Sequence, residues 1–164
     1  MNEVQVHLAL NHFPIVGFLL FVPLFLYAIL RQKHEVLKVS LIAFFILGLV
    51  ALVVHNSGEG AEEVLEDLGA SHKLIHEHEE AGEKAFLLAM ITGFLSVFVL
   101  AMRWYYEGWK RWVYIGILAL GLVTIGLTSF AGSTGGKIRH SEELEKGAQE
   151  HQEHEHAEDE HDDD

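Results

Sequence analysis

Four long apolar blocks constrain this chain more than any other feature. They occupy residues 14–30, 37–54, 86–102 and 112–131, each 17 to 20 residues long and uncharged except for Lys38 at the edge of the second. At about 1.5 Å per residue, each is long enough for a hydrocarbon core of roughly 30 Å. The mean hydropathy is +0.22 despite a very acidic end, so the 50% of hydrophobic residues must be gathered into blocks rather than spread as in a soluble domain. We therefore expect an all-α, four-transmembrane-helix bundle over residues 1–140. The first block fits a cleaved signal poorly, because Glu3 and no Lys or Arg precedes it and no small-residue cleavage site comes before Arg31.

The short basic turns predict the orientation. Arg31, Lys33 and Lys38 oppose Glu35 in one turn, and Arg103, Lys110 and Arg111 oppose Glu107 in the other. Both turns should lie on the cytoplasmic side of the membrane, with both termini outside. Tyr105, Tyr106, Trp109 and Trp112 around the second turn read as an interfacial aromatic belt.

The stretch from 71 to 104, SHKLIHEHEEAGEKAFLLAMITGFLSVFVLAMRW, reads as one helix that starts wet and becomes apolar. At about 100° per residue, Leu74, Ile75, Ala81, Gly82, Ala85 and Ala89 fall within roughly 60° of His78, and His72, His76, Glu79, Glu80 and Glu83 fall on the other half. His78 should point inward, at the head of a stripe of Ala81, Ala85, Ala89 and Gly93. That spacing lets helices approach closely or leaves room for something between them. A histidine satisfied by a neighbouring carbonyl at a helix entrance explains His78 as well as a metal ligand does.

Elsewhere, Pro14 suits a first helical turn and places His12 at the outer mouth of the first span. If residues 4–10 are helical, they form a short amphipathic turn lying on the surface, with His7 pointing about 140° away from His12. His55 shares a face with Phe44, Gly48 and Ala51. Asn56, Ser57 and Gly58 are expected to break the second helix. EGAEEVLEDL then reads as a short amphipathic helix over the outer mouth, within an outer segment 59–83 and capped at Gly69. The run AGSTGG should be a loop returning His140 to the outer surface. Residues 141–164 hold twelve of the 24 acidic residues, four histidines and one Lys, and almost nothing apolar. They are expected to be disordered, with His151, His154, His156 and His161 either incidental or weak cation buffers.

HLALNHFPIVGFLL, SGEGAEE, HEEAGEKA and GGKIRH together resemble an uncharacterised bacterial family of small four-helix integral membrane proteins. That family begins with a His-Phe-Pro motif and ends in Gly-Gly...His. The resemblance covers residues 7–143 and not the acidic tail. It implies the same architecture and draws attention to His12, Pro14, His78, Gly135, Gly136 and His140. The spacing after the glycines is variant here, with Lys137 and Arg139 before His140. A looser similarity to four-helix b-type cytochromes rests on architecture alone.

Of the twelve histidines only His34 falls on the cytoplasmic side of the expected topology, and His12, His55, His78 and His140 place one imidazole at the outer end of each span. Ionisable side chains of membrane helices are functional candidates. Three functions follow. The preferred one is a metal centre at the outer face in which a b-type haem sits in the small-residue seam with His12 and His78 as axial ligands, passing electrons to a periplasmic redox partner. A non-haem iron, zinc or manganese ion could be held by His12, His78 and His140 with Glu59, Glu62 or Glu79. A scaffold or assembly subunit without cofactor accounts for the helices but not for the histidine layer. The absence of cysteine excludes disulfides, thiolate metal sites and covalent c-type haem. No nucleophile triad, phosphate loop or nucleic-acid signature is present.

Overall fold

The computed structural model describes residues 3–67, 71–102 and 111–159, and every described element is helical. Helix α1 (Glu3–Leu10) leads into α2 (His12–Arg31), followed by α3 (His34–Asp67), α4 (His72–Met102) and α5 (Arg111–Asp159). The junction of α1 and α2 barely interrupts the helix, since Asn11 N–H donates to His7 O at 2.9 Å and Asn11 is itself α-helical. Four helical stretches, Val4–Arg31, His34–Glu62, His72–Met102 and Arg111–Ile138, are long and apolar enough to cross a membrane. All four are longer than the apolar blocks because the helices continue beyond them.

Each of α2 to α5 packs on the next, α5 closes back on α2, and α1 lies chiefly against α3. The centre is aromatic. Phe18 and Phe25 of α2 and Phe44 of α3 are fully buried, with Phe18 stacked on Phe44 at 5.5 Å between ring centres and Phe25 edge-on to Phe44 at 5.4 Å. Around the outside, Leu20, Ile46, Phe94, Phe98 and Leu122 are exposed. Such a belt of large apolar side chains is costly in water and suited to lipid.

Several expectations are corrected here. Helix α3 does not break at Asn56, Ser57 and Gly58 but runs on to Asp67. Ser57 satisfies its hydroxyl within the helix by donating to Val54 O at 3.1 Å, and α1 packs on this helix. The turn preference of these three residues is therefore outweighed by tertiary contact. Residues 59–67 are accordingly a continuation of α3, and 72–83 the start of α4, rather than a separate amphipathic helix; Gly69 lies outside the described residues. The AGSTGG run is helical within α5 instead of a loop, and α5 continues to Asp159 where the sequence leads one to expect disorder. Glu, Gln, Lys and Ala, which dominate that stretch, are strong helix formers. Of the aromatic belt, Trp112 is exposed, and Tyr105, Tyr106 and Trp109 lie outside the described residues, as do Arg103 and Lys110.

The small-residue stripe is buried as expected, with Ala81, Ala85 and Ala89 at 3%, 6% and 0% exposure. At its deeper end, however, it is closed. A Cβ on Gly93 would lie 3.0 Å from Phe44 O, and one on Gly48 would lie 3.1 Å from Ala89 O. The missing side chains bring the backbones of α3 and α4 together and leave no room there for a haem. Beside this contact, Thr92 and Thr124 join α4 to α5 through their hydroxyls at 3.2 Å.

Candidate metal centre: two seated imidazoles

Two histidines lie inward at one end of the bundle, and their surroundings are built alike. On α5, Ala131 O accepts a hydrogen bond from the Thr134 hydroxyl at 2.8 Å and from the His78 ring at Nδ1 at 3.0 Å. The same Nδ1 is 3.0 Å from Thr134 Oγ1. The ring rests over Gly135, where a Cβ would come within 3.0 Å of His78 Cε1. On α3, Val54 O accepts from the Ser57 hydroxyl at 3.1 Å and from His7 Nδ1 at 3.0 Å. That ring rests over Gly58, where a Cβ would lie 3.4 Å from both Cε1 and Nδ1. Each seat is thus a carbonyl at position i, a hydroxyl at i+3 and a glycine at i+4. These three positions share one helix face, so the pattern needs only a straight helix and a close neighbour.

The seats also fix the tautomers. A carbonyl oxygen only accepts, so Nδ1 carries the proton on both rings and both Nε2 lone pairs are left over. The two ring centres are 6.4 Å apart with planes at 86°. Both rings are half-buried.

The remaining candidate residues fall elsewhere. His12 is exposed, and its Nδ1–H donates to Asn11 Oδ1. It does not join His78, because the turn that buries Pro14 on the bundle side leaves His12 facing out. His55 is half-buried with its ring stacked on Phe86 at 4.3 Å and 9°, a packing role. His140, Glu59 and Glu79 are exposed, and Glu62 is half-buried. Glu79 pairs with His76 at 3.4 Å on the wet half of α4, as the helical periodicity predicts. Among the described residues no three His, Asp or Glu side chains come together as a metal-binding group. The mixed set of His12, His78, His140 and a carboxylate is therefore not assembled. His7 is the residue that sequence reasoning missed. Its signal lay in the repeated hydroxyl-glycine pairs, Ser57-Gly58 and Thr134-Gly135, each three and four residues beyond the carbonyl that holds an imidazole. Compared with protein-family models, curated proteins and solved structures, the chain matches none.

Proposed function

We propose that this chain is a multi-pass protein of the bacterial cytoplasmic membrane that holds a metal centre at its outer face, with His78 as a ligand. One observation carries the reading: the His78 ring is tied through Nδ1 to Ala131 O at 3.0 Å, which presents Nε2 as a donor in fixed orientation. Metal-ligating histidines are characteristically held in this way, by a carbonyl or carboxylate on the other ring nitrogen. The orientation rests on Arg31, Lys33, Lys38, Arg103, Lys110 and Arg111, which put the basic turns inside and the histidine end outside.

A single ion suits the site better than a haem. Gly135 lies against the His78 ring and Gly58 against the His7 ring, so neither seat holds a cleft of its own. The small-residue seam, closed at Gly48 and Gly93, offers a haem no alternative place. The electron-transfer role belongs to the haem form and weakens with it.

Substitution tests this. His78→Ala should remove the bound metal from the detergent-solubilised protein while leaving insertion intact. His72→Ala and His76→Ala, both exposed, should leave it in place. Equal behaviour of all three variants would defeat the proposal, and a Soret band lost with His78→Ala would replace the single ion by haem.

A further inference from the structure

Two donors are an unusual number. Zinc at structural and catalytic sites takes at least three protein ligands, and calcium and magnesium call for many oxygens. Among the described residues neither a third imidazole nor a carboxylate completes such a set around His7 and His78. Two species are satisfied by two neutral imidazoles alone. Haem iron already has four nitrogens from its macrocycle and needs only axial ligands. Monovalent copper, with a filled d shell, accepts linear two-coordination, and imidazole is among its ordinary donors. The close contact of α3 and α4 at Gly48 and Gly93, which leaves no bay for a macrocycle in the small-residue seam, disfavours the first.

We infer that His7 and His78 together bind one monovalent copper ion through their two Nε2 atoms. This rests on the outer-face metal centre proposed above and adds to it the second ligand and the identity of the ion. Three features support it. Both Nδ1 atoms are committed to backbone carbonyls at 3.0 Å, so both rings offer the same nitrogen. The two seats are the same three-residue pattern on different helices, so the two rings are held in the same way. The ring centres are 6.4 Å apart, and two imidazoles bound to one ion at about 2 Å place their centres about 6 Å apart. Binding uses two lone pairs and requires no proton to leave, since each Nε2 is already bare.

The test uses the full-length chain in detergent with His151, His154, His156 and His161 replaced by Ala, so that the tail contributes no imidazole. Copper(I) is titrated anaerobically against a chromophoric copper(I) chelator. His7→Asn and His78→Asn are the informative variants, because the amide can still donate to the carbonyl from near the Nδ1 position while Nε2 is gone. The expected result is one tight equivalent in the parent, weakened at least 100-fold in either variant and unchanged in His12→Ala. X-ray absorption at the copper edge of the parent, which needs no variant to fold, should show two nitrogen donors. Retention of copper(I) in His7→Asn, or three or more donors at the edge, overturns the inference. Zinc bound stoichiometrically and lost with His78→Asn, without tight copper(I), would leave the outer-face metal centre standing and overturn copper. Neither copper, zinc nor a chromophore in the parent would overturn both.

Discussion

Gly135→Ala separates the seat of His78 from the stability of the helix that carries it. The added Cβ would come 3.0 Å from His78 Cε1, and ordinary carbon contact begins near 3.5 Å, so the ring must retreat by about 0.5 Å. Gly135 and Ala131 are on the same helix, and the retreat therefore stretches the 3.0 Å bond from Nδ1 to Ala131 O. A lengthening to about 3.5 Å forfeits most of that bond, a net loss of about 0.5–1.5 kcal/mol. Against this, replacing glycine by alanine within a helix gains up to about 1 kcal/mol. The two nearly cancel, so the melting temperature should hardly move. Metal affinity should nevertheless fall about 10- to 100-fold, as when other outer-shell partners of a ligand are disturbed. Gly136→Ala is the control: nothing lies within 4 Å of its Cβ position, so it should bind metal as the parent does and be slightly more stable. Thermal unfolding and metal titration on the three proteins decide the matter. Undiminished affinity in Gly135→Ala would refute the seat as the source of the His78 orientation.

The close approach of α3 and α4 should make Gly93→Ala destabilising by about 1–3 kcal/mol, because its Cβ would meet Phe44 O at 3.0 Å and backbone cannot step aside. Gly126→Ala, with open space around it, should not lower the melting temperature in the same detergent. An export-dependent reporter fused after His140 should be active, and a cytoplasmic reporter should be active when fused near Gly108; the reverse pattern would move the histidine end inside. Removing residues 141–164 should leave the melting temperature and the His78-dependent metal unchanged, since that acidic stretch has almost no apolar residues to pack, and a large fall on truncation would contradict this.

The spans were legible because uncharged blocks of this length have few other uses, and the inward direction of His78 followed from helical period alone. The partner of His78 was not. Val4, Val6, Leu8, Ala9 and Leu10 surround His7 with apolar residues on every side, so no face of α1 stands out, while Pro14 drew attention to His12. The stripe from Ala81 to Gly93 was seen, but small residues serve a backbone contact and an open cleft equally well. Only the position of Gly48 opposite Gly93 decides for contact. Asn56, Ser57 and Gly58 carried strong turn chemistry, and a local signal of that kind yields when a neighbouring helix packs over it. The two seats depend on contacts 47 and 53 residues apart in sequence, which periodicity within one helix cannot reach.

The most direct measurement is elemental analysis with a visible absorption spectrum on protein purified from membranes, the four tail histidines replaced by Ala, beside its His78→Ala counterpart. A single-ion centre held by His78 should give close to one equivalent of a transition metal per chain, no Soret band, and loss of that metal in the variant. Metal-free, colourless parent protein that takes up no ion on addition would contradict it and leave His78 as a histidine satisfied by Ala131 O and nothing more.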